Sequence, residues 1–206
     1  MFELPPFDPG IEIVAASQGM SKGLRQTDGA QIVIRPELAL GPFFVGGQYR
    51  NLDSPSADGE LWGLAGLRGE AGGFALAASI IYKRWIATNG RPDRDAVELH
   101  GSAARPIGPV TARLAVHYSP DDLGSTGASL YVEGGATLRI AAGTELLAHA
   151  SRRERDKGPD YTAFNAGISH NILRHFTAEL RYYDTSRSGV DDTYRGRLVA
   201  SLRMRF

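Results

Sequence analysis

The sequence predicts an all-β fold: a transmembrane, antiparallel, up-and-down β-barrel of twelve strands with both termini on the periplasmic side. Three observations predict it. In the closing stretch, Tyr194, Leu198, Ala200, Leu202, Met204 and Phe206 alternate with Arg195, Arg197, Ser201, Arg203 and Arg205. Side chains of a strand alternate between its faces, so one face is apolar and the other rich in arginine. A wall strand between lipid and a wet lumen needs that division; a soluble core strand does not. The second observation is that such alternating segments fill the chain. The third is that short and long connections alternate between them.

Composition sets the bounds. The chain has 206 residues, no Cys and 25 Gly, with 23 basic and 23 acidic residues. Absent Cys removes disulfides and thiolate metal sites, and balanced charge gives no footprint for nucleic acid. Mean hydropathy is −0.22, and no run approaches the roughly 18 apolar residues of a spanning helix. A barrel shares these totals with soluble proteins, because lumen residues dilute lipid-facing ones one for one. Met1-Phe2-Glu3-Leu4-Pro5-Pro6 lacks the basic start and apolar core of a signal peptide, so an exported protein would here be read as a mature chain.

Residues 1–10 hold three prolines and read as an irregular periplasmic tail; 11–206 read as the barrel. The expected strands are 12–26, 31–40, 43–53, 60–71, 74–87, 95–107, 110–119, 128–140, 145–154, 161–172, 176–186 and 194–206. The first is the least regular and its facing is open. Gly41-Pro42, Gly72-Gly73, Gly108-Pro109, Ala141 to Thr144 and Leu173-Arg174-His175 are hairpin-sized turns. The other connections, 27–30, 54–59, 88–94, 120–127, 155–160 and 187–193, are longer and polar, as on the outer side of a bacterial barrel. None offers a large plug, although one could fold inward. Beyond the tail, every Asp falls in or beside a long connection, which suggests an acidic outer rim bridged to lipopolysaccharide by divalent cations.

The two-residue turns settle facing, because their flanking residues pair on one side of the sheet. Leu40 with Phe43, Ala71 with Phe74 and Ile107 with Val110 then face lipid. Parity carries the assignment to Val45, Tyr49, Leu61, Leu67, Leu76, Ile80, Tyr82, Leu99, Leu114, Tyr118, Leu138, Phe164, Leu180 and Tyr182. Their aromatics sit near strand ends, as an interfacial girdle would.

The same parity makes the interior ionised. The inward bases are Arg35, Arg50, Arg68, Lys83, Arg113, Arg139, Arg153, Arg181, Arg195, Arg197, Arg203 and Arg205. The inward acids are Glu37, Glu60, Glu70, Glu98, Glu133, Glu145 and Glu179. Charges cannot stand unpaired in a dry core, so the lumen is wet or cross-linked; Arg139 and Glu145 are the kind of pair expected. An excess of bases would favour anions. The expected pore-lining set is Arg35, Glu37, Arg50, Trp62, Lys83, Glu98, His100, Arg113, His117, Glu133, His149, Arg181, Arg197 and Arg203. Within it, a constriction is expected among Arg35, Glu133, His149, Arg181, His100 and His117, with Trp62 and Lys83 nearer the mouth.

Other chemistry is thin. The Gly108-Pro109 turn places His100 opposite His117, and two imidazoles can bind a metal or share a proton, but no third ligand is evident; the metal set is empty. His149, Ser151 and Asn165 resemble the His, Ser and Asn of the outer-membrane phospholipase, also a twelve-stranded barrel. Here, however, the chain continues Arg152-Arg153-Glu154, without that family's Ser-Asn-Gly. No Walker, GxSxG or HExxH motif is present, so no catalytic residue and no cofactor is assigned.

Several stretches resemble the TorF-like family of proteobacterial outer-membrane porins. Gly23-Leu24-Arg25-Gln26-Thr27-Asp28-Gly29 is similar to its first-hairpin motif, with Lys22 where Arg is usual and Arg25 where Ser is usual. Tyr131 to Ala136 resembles its mid-chain strand, and Tyr183-Asp184-Thr185 with Leu198 to Phe206 its last hairpin. The ending also resembles the C-terminal signal of bacterial outer-membrane barrels, whose final Phe, here Phe206, is read by the insertion machinery. The resemblance implies an outer-membrane channel and supplies no catalytic residues. The expectation is passive diffusion of small hydrophilic solutes or anions through a Gram-negative outer membrane. Lipid, lipopolysaccharide and the barrel assembly machinery are the expected contacts, and nucleic acid is not. The alternatives are a lipid hydrolase on the same scaffold and a non-conducting structural barrel.

Overall fold

Hydrocarbon offers no partner for a backbone amide, so strands that cross it must close on themselves. The computed structural model describes residues 7–54, 57–86 and 93–206. In it β1 (Phe7–Ala16) is followed by a small hairpin, β2 (Met20–Ser21) and β3 (Leu24–Arg25). Then come β4 (Gln31–Leu40), β5 (Phe43–Ser54), β6 (Ala57–Ala71), β7 (Phe74–Ile86), β8 (Asp95–Ile107) and β9 (Val110–Asp122). The chain ends with β10 (Gly127–Ala141), β11 (Thr144–Arg155), β12 (Tyr161–Leu173), β13 (Phe176–Thr185) and β14 (Arg197–Arg205). A 3-10 turn, Asp192–Tyr194, precedes the last strand. All but β2 and β3 form one closed barrel in chain order, with β1 antiparallel to β14. Twelve wall strands put both ends of the barrel chain on the side of the short turns. At the seam the Ile11 and Phe206 amides each donate to the other's carbonyl at 3.0 Å.

The short turns fix the register as parity demands. Leu40 pairs with Phe43, Ala71 with Phe74 and Ile107 with Val110. Most large apolar residues assigned outward from those turns are exposed, from Phe43, Val45 and Tyr49 through Leu180 and Tyr182, while Leu40 and Val110 at the turns are half-buried. The outside is therefore an apolar belt, and the barrel is a transmembrane one.

Several strand boundaries differ from expectation by a few residues, and three of the differences change what the segment does. The wall begins at Phe7, because 7–10 find partners in 37–40 of β4, and a proline is tolerated near the start of a strand. The expected first strand 12–26 ends at Ala16. Beyond it Ser17, Gln18, Lys22 and Gln26 break the apolar alternation that lipid requires, and the segment turns into the lumen. The last strand starts at Arg197 rather than Tyr194. Tyr194 packs on Tyr161 inside the mouth, with ring centroids 5.5 Å apart, and Arg195 is exposed and pairs with Asp192 at 3.7 Å instead of lining the interior. Residues 1–6 of the expected tail, 55–56 and 87–92 of the expected outer connections lie outside the described residues.

Candidate functional site

The inward hairpin organises the long-connection end of the lumen. Its tip is a two-residue turn with Lys22 at φ 50° and Gly23 at φ 81°, the primed geometry that closes the tightest hairpins. Gly23 is required twice over. Its φ is left-handed, and a Cβ there would come within 2.4 Å of the Ala163 Cβ. Leu24 is buried against Tyr161 and Ala163 of β12, with Tyr194 packed beside them. The Tyr161 hydroxyl donates to the Lys22 carbonyl at 2.8 Å, and the buried Thr27 hydroxyl receives the Gly19 amide at 2.7 Å.

Lys22 then reaches across the lumen. Its Nζ is 2.5 Å from the Glu98 carboxylate, which also holds Lys83 and accepts from His117 Nδ1 at 2.9 Å. Lys83 further approaches Asp122 at 3.7 Å, and Arg153 binds Asp122 at 2.8 Å. Asp122 is thus buried in the interior and not on the outer rim, because β9 runs to residue 122. Lys22 lies in the connection, outside the spanning strands. Burial, then the like charge of Lys83, pulls its amine down to about 8 against the opposing pull of Glu98.

Beside this network stands an aromatic one. Glu60 accepts from Arg50 at 2.8 Å and from the indole nitrogens of Trp62 and, at 3.1 Å, Trp85. The two networks enclose a chamber of about 340 Å³ bounded by Lys22, Trp62, Trp85, Arg155 and the 123–126 backbone. Trp62 is also a wall of a second cavity, about 460 Å³, that extends toward the short turns past Arg35, Glu37, Gln48 and Arg68. There Glu12 collects Arg35 at 2.5 Å, Arg205 at 2.7 Å and Arg203 at 3.6 Å, while Glu37 holds Arg68 at 2.6 Å. Arg35 Nε donates to Gln48 at 2.6 Å.

The remaining expected pore residues are dispersed around the wall. His100 and His117 stand opposite each other, ring centroids 4.5 Å apart. Among the described residues no group of three or more metal-binding side chains joins them. Arg181 binds Glu179 at 2.8 Å and Asn165 at 3.1 Å. Glu133 accepts from Tyr131 at 2.6 Å, and Arg197 binds Asp192 at 2.9 Å and Gln18 at 3.4 Å. Arg113 has no acidic partner among the described residues and opens onto a cavity of about 450 Å³ near the short turns. Arg139 stands opposite Glu145 in the register without an ion pair. His149 lies over Gly135, where an added Cβ would collide with its ring, and its Nδ1 is buried without a partner. Ser151 turns to the Ala163 carbonyl at 3.4 Å, and Asn165 is held by Arg181. Among the described residues no hydrogen bond joins the His149, Ser151 and Asn165 side chains into a relay.

No protein-family model matches the sequence, and no curated protein matches it. Solved structures do. The KdgM porin superposes with a TM-score of 0.63 at 6% identity, covering 96% of this chain and 98% of its own; it has also been solved in complex with disordered oligogalacturonate. The NanC porin gives 0.60 at 8% identity, over 95% and 97% of the two chains. The chain has a small-porin fold. An outer-membrane channel from Pseudomonas putida F1 gives 0.56 at 11% identity, over 100% and 96%.

Lys22, Trp85, Asp122 and Arg155 belong to this centre but to none of the residues expected to line it. Only Lys22-Gly23 carried a signal, a tight-turn dipeptide inside a stretch read as strand. Trp85 and Arg155 stand at strand ends, where parity says little about what the mouth gathers.

Proposed function

We propose that the protein is an outer-membrane channel of a Gram-negative bacterium through which small hydrophilic solutes diffuse passively. The observation that carries this reading is a closed barrel, apolar outside and ionised inside, whose cavities meet at Trp62 beneath the hairpin tip. Hydrocarbon and water on the two sides of one wall account for both surfaces. In this reading the short turns and both termini face the periplasm, and the long connections face outward toward lipopolysaccharide. Phe206 serves as the insertion signal for the assembly machinery, and the TorF-like motifs mark the lineage. The expected lining residues, Arg35, Glu37, Arg50, Trp62, Lys83, Glu98, His100, Arg113, His117, Glu133, His149, Arg181, Arg197 and Arg203, act as the solute's surroundings.

Anions are the preferred cargo. Glu12 and Asp122 join the inward acids and narrow the excess of bases, so the preference is modest. Arg113, without a counter-charge, and Lys22, added by the hairpin, sustain it. Reversal potentials in a potassium chloride gradient across a planar bilayer test the reading: chloride preference is expected, and Arg113→Glu should reduce it while leaving the barrel folded. Cation preference in the native protein would overturn the selectivity. Absent currents would overturn the channel and favour a structural barrel.

A further inference from the structure

The chamber between the hairpin tip and Trp62 holds more donors than its acids can use. Glu60 is committed to Arg50 and two indoles, and Asp122 to Arg153 and Lys83. Glu98, just below, is committed to Lys22, Lys83 and His117. Two nitrogens remain. Arg50 is 8% exposed, yet its Nε is buried with no partner. Arg155 spends one terminal nitrogen on the Pro159 carbonyl at 2.7 Å and the Tyr194 hydroxyl at 3.2 Å. Its Nε is also buried without a partner, and it has no acidic partner among the described residues. Buried donors left unpaired are costly and call for an acceptor. Both arginines wall the chamber.

We infer that this chamber is a binding site for a small organic anion, its carboxylate received by Arg50 and Arg155 and its body set against Trp62 and Trp85. The volume of about 340 Å³ falls in the roughly 300–1,000 Å³ range of small-molecule sites. Charge-assisted hydrogen bonds from a guanidinium are stronger than neutral ones, and partial burial limits screening by salt. The indoles are fixed by Glu60, so the apolar wall is rigid before a solute arrives. The inference deepens the channel reading, resting on it only for how the solute reaches the site.

The chain's two tryptophans are Trp62 and Trp85, and both line the chamber, so tryptophan emission reports on it, with Trp62 also touching the second cavity; the Arg50 and Arg155 variants tell the two apart. The detergent-solubilised barrel is titrated with glucuronate, with glucose, which differs by lacking the carboxylate, and with inorganic phosphate. A saturable change in tryptophan emission is expected with glucuronate and none with glucose; saturation by phosphate too would define the site as one for oxyanions generally. Arg155→Gln should weaken glucuronate binding about tenfold or more, with the folded barrel retained. Arg50→Lys, which keeps the charge against Glu60, should weaken it as well. No saturable response to glucuronate, an equal response to glucose, or unchanged affinity in both variants would overturn the site. The measurement requires no current, so a silent bilayer and an empty chamber are separate failures.

Discussion

Glu98 shows how a single side chain can set the charge balance of a lumen. It is 1% exposed and is shared by Lys22, Lys83 and His117. Replacing a buried carboxylate that has several partners strands their charges. Glu98→Gln should therefore destabilise the barrel by about 3 kcal/mol, seen as a lower temperature for loss of the folded band on unboiled gels. Lys22 supplies a pH dependence whose sign follows from its lowered pKa. Below about pH 8 its amine is charged and adds to the positive lumen; as pH rises through about 8 that charge is lost. Anion preference should accordingly fall between pH 7 and 9, and Lys22→Met should abolish that step. A selectivity that rises with pH, or an identical step in the variant, would contradict this origin.

Among the elements, the wall strands were legible and the hairpin was not, for a physical reason. Lipid faces every second residue of a wall strand, and that demand is written into runs such as Phe74, Leu76, Ile80 and Tyr82. Three two-residue turns then anchored parity well enough to predict which residues face out. A segment folded into a wet interior answers to no such periodic demand. Residues 17–26 read as an irregular strand because Met20 and Leu24 supply just enough apolar character to mask the Lys22-Gly23 turn. The tertiary contacts that hold it, Leu24 on Tyr161 and Lys22 on Glu98, join residues far apart in sequence. Gly23→Val should undock it, since a side chain there meets Ala163 and must take a left-handed φ. Single-channel conductance should rise or become noisy, with a stability loss of about 1–3 kcal/mol; unchanged current would mean that the hairpin is no obstruction. His100 opposite His117 was legible from one two-residue turn, whereas the chamber was not, because strand ends and connections assemble it.

For the molecule as a whole, the exterior decides the environment in which the fold persists. A contiguous belt that includes Phe43, Val45, Ile80, Leu99, Leu114 and Phe164 far exceeds the exposed apolar patches of soluble monomers. The protein should stay folded and dispersed only in detergent or lipid. A well-folded, detergent-free monomer by light scattering and circular dichroism would contradict the transmembrane reading. The balanced totals of 23 basic and 23 acidic residues concealed this architecture, since the signal lies in arrangement and not in amount.

The seam at Ile11 and Phe206 has one more consequence. Because β1 and β14 are ordinary neighbours in a ring, the polypeptide could be joined across that gap and opened in the 187–190 connection without losing a single wall ladder. Such a rearranged chain would still carry Phe206, but near its new amino terminus and no longer at its end. If it refolds in micelles and fails to reach the membrane in cells, the aromatic's place in the architecture and its use as an address will have been pulled apart.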